Sequence, residues 1–373
     1  MLAKQIYRMQ VRNYRSIEYV DVALDALTIL VGPNGSGKSN LLDVLRFVSD
    51  ALRTGLDAAL LAHDRGGIGR LRRYSKKGRP FDVSVTLWLR LDGVEGSYSF
   101  TLASEKKNEF AVKNETCTLG LHEYVIENGV LTKSTLPNTV AIQGRNLTLP
   151  LVGNSPEFSP IYDFLSHMGL YSIFPTDLRS PQRPGSAYPL DEQGANLASM
   201  LREFIRATDN PAQKWLYQGL AAIVPGVNED NPISVTQLGS YLVIRLNRAD
   251  QGTFDLALES DGTLRALGLL SAIYQQPSLS LLGVEEPELM LHPGAMGVLC
   301  DILLDAATRS QIILTTHSPD LLNRFPAEAL RLVDRSKGTT EIGMVGEGDR
   351  KAIEDQLFGS GDLLRIGGLA RVQ

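Results

Sequence analysis

The sequence predicts an α/β fold with a mixed central sheet that carries a phosphate-binding loop, an antiparallel β wing and a helical insertion lobe. Three observations predict it. A short apolar run, Leu27 to Val31, empties directly into Gly32-Pro33-Asn34-Gly35-Ser36-Gly37-Lys38-Ser39 and then into a helix with an apolar face. Residues 81 to 130 alternate apolar and polar positions between turn dipeptides such as Asp92-Gly93 and Asn128-Gly129. Two later apolar runs, Leu279 to Val284 and Gln311 to Thr316, end in Glu285-Glu286 and in His317.

In chain order, Ile6 to Val11 and Val20 to Leu24 read as half-buried strands, and Leu27 to Val31 as a buried one. The helix from Lys38 to Val48 places Leu41, Leu42, Leu45 and Val48 on one face. Phe81 to Leu91, Gly96 to Ala103, Phe110 to Leu121 and Glu123 to Val130 form the wing. Three prolines between Tyr171 and Tyr188 mark a loop or boundary. Helices over Asn196 to Ile205 and Gln213 to Ile223 make residues 161–232 the helical insertion, between an N-terminal lobe over 1–160 and a C-terminal lobe over 233–373. Strands resume at Ile233 to Val235, Tyr241 to Asn247 and Thr253 to Leu258, and no heptad pattern long enough for coiled-coil arms is present.

The chain has 373 residues, enough for one large domain with an insertion or for two lobes. Its net charge of −5 gives no global attraction to nucleic acid or to acidic membranes. The segment from Arg65 to Arg79, RGGIGRLRRYSKKGR, is the strongly basic stretch, with seven basic residues and no acidic one. It reads either as a DNA phosphate contact or as a solvated hairpin loop. Cys117 and Cys300 lack metal-ligand spacing and are expected to be buried thiols. No signal-peptide core and no apolar run of about 18 to 20 residues is found, so a soluble cytoplasmic protein without membrane contact is expected.

The phosphate loop carries its chemistry in its spacing. Glycines at 32, 35 and 37 let the backbone approach a polyphosphate closely, and the following helix directs its first N–H groups and positive dipole end at the same place. Lys38 is expected to reach the β/γ-phosphates and Ser39 to ligate Mg²⁺, with Asn34, Gly35, Gly37 and Asn40 completing the nucleotide contacts. Leu258 to Leu264, LESDGTL, opens a helix, and Ser260 and Gly262 make a second anion-binding surface there. At the strand end, Glu285 is expected to hold Mg²⁺ directly or through water, and Glu286 to polarise an attacking water. His317 would hydrogen-bond the γ-phosphate or that water. His292 belongs either to a dimer-contact loop or to a helix cap.

Together, NYRSIEYVDV, GPNGSGKSN, ESDGTLR, LLGVEEPELMLHP and TTHSP resemble the ABC-type ATPases of the RecF, SMC and OLD branch, over nearly the whole chain and loosely between about 50 and 235. The resemblance implies ATP and Mg²⁺ as cofactors and a head-to-tail homodimer in which Ser260 and Gly262 of one copy complete the site built on Lys38 of the other. It implies an ATP hydrolase that regulates a DNA transaction or a partner effector, such as a nuclease or toxin, in repair or anti-phage defence. Two departures stand out: Asp261 replaces the second signature glycine, and the glutamine loop falls at either Gln143 or Gln182. OLD proteins add a Toprim nuclease domain, whereas only 56 residues follow His317, so this chain is not expected to cut DNA by itself. An ATP-gated binding switch is the alternative function. A transporter subunit fits less well, given the wing and the double Glu.

Overall fold

A computed structural model describes residues 2–74, 81–104, 109–136, 144–207, 210–355, 357–365, 369 and 371. The chain divides into two compact units. The first contains Met1–Met168, Ala327–Phe358 and Gly367–Gln373; the second contains Gly169–Pro326 and Gly359–Ile366. Residues 161–232 thus lie mainly in the second unit, together with the acidic loop and His317.

In the first unit, the alternating segments form one antiparallel sheet. Lys4–Tyr14 sits between Ile17–Ala23 and Val83–Leu91, and the meander continues through Val94–Ser104, Phe110–Leu119, His122–Glu127 and Val130–Ser134. The inward face is apolar, as the strict alternation over Val83–Leu91 requires. One carboxylate is buried beneath it. Glu115 accepts hydrogen bonds from the hydroxyls of Tyr98 and Tyr124 and from the N–H groups of Thr148 and Leu149, so its burial is compensated at the start of the short helix Leu149–Val152.

Leu27–Val31, buried at every position, pairs in parallel with Leu330–Ser336, which turns back antiparallel as Thr339–Met344. This C-terminal hairpin packs on the phosphate loop. Thr340 donates its backbone N–H to Ser16 O at 3.0 Å and its hydroxyl to Ser36 O at 2.9 Å. A Cβ at Gly32 would lie 1.9 Å from Val333 O, and one at Gly37 would lie 2.1 Å from Thr340 Oγ1. Those two glycines are therefore required by chain packing as well as by phosphate approach.

Over its described residues, 65–74, the basic stretch forms no hairpin, and at its start it is not a surface. Arg65 is buried, donating to Asp43 from Nε and Nη2 at 3.1 and 2.9 Å, and from Nη1 to Asp50 at 2.8 Å. Burial works against its charge, but the two carboxylates outweigh that and raise its pKa. Asp43 also accepts the Tyr14 hydroxyl at 2.6 Å and pairs with Arg15 at 3.1 Å. Arg72 is buried as well and donates to Glu109 O, which leaves it equally unavailable to DNA. Ile68–Leu71 is helical, Arg73 pairs with Glu18, and residues 75–79 fall outside the described residues.

In the second unit, Leu281–Glu285 pairs in parallel with Gln311–Thr316, so that Glu285 lies beside Thr315. Met168–Tyr171, where the chain passes from one unit to the other, flanks the first of these strands. The helices Leu197–Arg206, Pro211–Ile223, Asp261–Tyr274 and Met296–Ala306 belong to this unit, as does the antiparallel sheet Ile233–Leu238, Tyr241–Arg248 and Gly252–Asp255. The last of these strands is shorter than expected, because Leu256–Leu258 turns into a 3₁₀ helix. Cys117 and Cys300 are both buried thiols. No helix among the described residues is long and apolar enough to cross a membrane.

The Asp43–Arg65–Asp50 group yields a direct test. Arg65→Met leaves two carboxylates without their shared cation and should cost about 3–5 kcal/mol of stability. Urea unfolding measures it; a loss below about 1 kcal/mol would mean that the group behaves like an exposed ion pair.

Candidate nucleotide site

The phosphate loop lies between the buried strand Leu27–Val31 and the helix Lys38–Thr54. Gly35 and Gly37 adopt φ of 78° and 110°, angles that side chains rarely reach. Lys38 is nearly buried and folds back over the loop, donating from Nζ to Gly32 O at 2.6 Å and to Pro33 O at 3.4 Å. Asn34, Gly35 and Ser39 are exposed along the loop. Asn40 is turned toward the N-terminal motif: its Nδ2 donates to Ser16 Oγ at 2.7 Å, and its Oδ1 accepts from Arg15 at 3.4 Å. The Ser36 hydroxyl is buried and has no hydrogen-bond partner among the described residues. An orphaned buried hydroxyl, a cradle in which Cβ atoms do not fit and the hydroxyl of Ser39 at a helix N-terminus suit a polyphosphate and the hard Mg²⁺ ion it carries.

In the second unit, the strand ends build a laced pair of loops. Glu286 follows the strand at φ 45°, and its N–H donates to Thr315 O at 2.9 Å. His317 Nδ1 lies 2.8 Å from Glu286 Oε2, and the His317 N–H donates to the same oxygen at 3.2 Å. Glu288 sits beneath this pair, 7% exposed, accepting the Thr316 hydroxyl at 2.5 Å. Burial above all, with Glu286 adding to it, lifts the Glu288 carboxyl to a pKa of about 7. Glu286, Glu288 and His317 each bring one side-chain atom within 4.8 Å of the others.

Ser260 is the N-cap of the helix Asp261–Tyr274, accepting the Thr263 N–H at 3.2 Å. A Cβ on Gly262 would meet Met290 O at 2.6 Å, so the helix start and the loop after the acids require a glycine between them. Asp261, at the position of the missing glycine, pairs with Arg179 at 2.5 Å. From the same helix the buried Arg265 donates through Nη2 to Glu285 O at 3.1 Å and to Glu286 O at 2.6 Å, and through Nη1 to Ile173 O. Burial lowers its pKa. The sequence reading missed Arg265; its one signal was a lone cation in an otherwise apolar helix.

The remaining expectations resolve differently. Gln182 is buried and committed at both ends, donating to Gly194 O and accepting from Ala198 N–H, so its side chain is not set for a nucleotide. Gln143 lies outside the described residues. His292 Nδ1 accepts the Gly294 N–H at 3.0 Å and caps the turn Pro293–Ala295.

Residues 155–323 match the family described as "AAA domain, putative AbiEii toxin, Type IV TA system", and residues 5–119 match "AAA ATPase domain". The chain is 24% identical to the OLD nuclease of Thermus scotoductus over 374 residues, covering 93% of this chain and 66% of that protein. It is 30% identical to the DNA replication and repair protein RecF of Proteus mirabilis over 101 residues, 24% of this chain and 28% of the other. The chain thus spans slightly under two thirds of the first relative and about a quarter of the second. Among solved structures, the Smc head bound to the C-winged helix domain of ScpA superposes with a TM-score of 0.61 at 15% identity, covering 94% of this chain and 99% of that one. The Pyrococcus furiosus Smc head with an extended coiled coil does so at 0.58 and 13%, covering 95% and 99%. The chain is thus similar to ATPases of the RecF and OLD kind, and its α/β fold is that of an SMC head.

Proposed function

We propose that this ATPase is Mg²⁺-dependent, closes as a head-to-tail homodimer on ATP and reopens on hydrolysis, using that cycle to regulate a DNA transaction or a partner effector. The observation that carries the reading is the pairing of Glu286 with His317 at the ends of two parallel strands, in a chain that also holds a complete phosphate loop.

Each residue has a distinct role in it. Lys38, drawn from its carbonyls, neutralises the β/γ-phosphates, and the backbone of Asn34, Gly35 and Gly37 supplies donors. Ser39 and Glu285 would hold the Mg²⁺, which when bound offsets charge on the phosphate oxygens. Glu286 accepts a hydrogen bond from the attacking water and polarises it, and His317 fixes the direction of that carboxylate. Arg265 holds the backbone of Glu285 and Glu286 from the helix that begins at Ser260. In the dimer, Ser260 and Gly262 of one copy would meet the nucleotide of the other. The relatives' names support the DNA and effector themes: one is a nuclease, another a replication and repair protein. With Arg65 and Arg72 buried, any DNA contact from the basic stretch falls to Arg70, Arg73 and the residues that follow.

Glu286→Gln should still bind ATP but hydrolyse it about 10²- to 10⁴-fold more slowly and accumulate as a dimer in sedimentation runs with ATP and Mg²⁺; full turnover by a monomeric variant would refute the role. Lys38→Ala should lose nucleotide affinity in equilibrium dialysis, and unchanged binding there would remove the lysine from the site. Ser260→Arg should keep ATP binding yet abolish ATP-induced dimerisation, whereas a dimer that persists would place the signature elsewhere. Turnover that rises with added duplex DNA, less so as salt increases, distinguishes a DNA-regulating enzyme from a switch read only by a protein partner.

A further inference from the structure

Glu288 is a buried carboxyl with no part in the chemistry above. Its Oε1 accepts the Thr316 hydroxyl, the same hydroxyl accepts the Ser318 N–H at 3.0 Å, and Oε2 is closed off from solvent. Thr316 directly precedes His317, so the Glu288 side chain clamps the histidine's strand end to the loop that carries Glu286. The groups facing it are Glu286 and His317 from the two loops, Arg265 from the helix Asp261–Tyr274 and Cys300 from the helix Met296–Ala306. Arg265 donates its hydrogen bonds to the carbonyl oxygens of Ile173, Glu285 and Glu286 and acts on the Glu288 carboxyl only through charge. Of two adjoining carboxyls, the more deeply buried one holds its proton to higher pH.

We propose that Glu288 is a positioning residue of this centre: holding a proton and anchored on Thr316, it leaves a single negative charge on the pair and keeps that charge on Glu286, directed at His317. This rests on the reading of Glu286 as the group that polarises water. Burial and the nearness of Glu286 raise the Glu288 pKa to about 7, so the clamp is intact on the acid side of that value and weakens above it, where a second negative charge opposes Glu286.

The test compares the full chain with Glu288→Gln and Glu288→Ala, measuring kcat and KM for ATP from pH 6 to 9. Wild type should lose kcat as pH rises through about 7. Glu288→Gln, an uncharged acid mimic, should keep kcat and lose that alkaline fall, and Glu288→Ala should drop kcat about 10- to 100-fold with KM unchanged. A wild-type pH profile in Glu288→Gln, or a loss of kcat matching that of the alanine variant, would overturn the proposal, and so would an unaffected Glu288→Ala. An independent readout uses nucleotide-free protein and the imidazole NMR signal that vanishes in His317→Asn. In wild type its chemical shift should report the Glu288 ionisation as an inflection near pH 7, and Glu288→Gln should lose that inflection; the same profile in both would overturn the proposal. Absence of any ATP turnover would sink the hydrolytic reading alone and leave the imidazole titration to decide the role of Glu288.

Discussion

The acidic centre depends on one strained residue. Glu286 sits at φ 45°, in the left-handed region where a side chain costs of order 1–3 kcal/mol. Such a conformation persists only when its surroundings over-determine it, and here they do. Thr315 O receives the N–H of Glu286, Arg265 grips its carbonyl, and both the N–H and the ring of His317 engage its carboxylate. The N–H, the carbonyl and Oε2 of the residue are thereby assigned, so the carboxylate's direction follows from these contacts and not from a loose rotamer.

The phosphate loop is constrained in a comparable way by segments remote in sequence. Ser16 from the N-terminal turn, Asn40 from the helix and Thr340 from the C-terminal hairpin are joined through hydroxyl and amide contacts, and Thr340 reaches on to Ser36 O. One turn further along the helix, Asp43 gathers Tyr14, Arg15 and Arg65. A buried ion group of this kind contributes little net stability against an apolar replacement, since desolvation offsets most of the attraction. What it does fix is register. Asp43 can satisfy all three partners in only one rotational setting of the helix, and that setting also determines where Lys38 and Ser39 point.

Local pattern explains what could be read from the sequence. Leu27–Val31 and Gln311–Thr316 keep the limits their apolar runs suggest, because such runs flanked by polar turns have few other solutions. The hairpin over Leu330–Met344 was hidden by Arg331, a cation at a buried position that breaks the apolar pattern and is paired with Asp25. Arg65 misled for the converse reason: its neighbours in sequence are basic, while its carboxylate partners lie about four and six turns of chain away on another helix. Arg265 and Glu288 could not have been assigned from spacing, since what they bind are carbonyls and a threonine hydroxyl that only the tertiary fold brings near.

The EEPE run shows why three carboxyls within four residues need not behave alike. Glu285 ends a strand and is half-buried, Glu286 turns left-handed toward an exposed histidine, and Glu288 is carried by the turn Glu286–Leu289 back into the interior. Burial above all sets the Glu288 carboxyl apart, since the intrinsic acidity of the three side chains is the same. Pro287 has no N–H to donate, which lets the chain reverse between the two functional acids without leaving a backbone donor buried. The same turn brings Met290 O against Gly262, so the backbone that separates the acids also bears on the start of the helix capped by Ser260. A displacement of that helix start would therefore be transmitted to Glu286 through two rigid routes, the Gly262–Met290 contact and the Arg265 guanidinium.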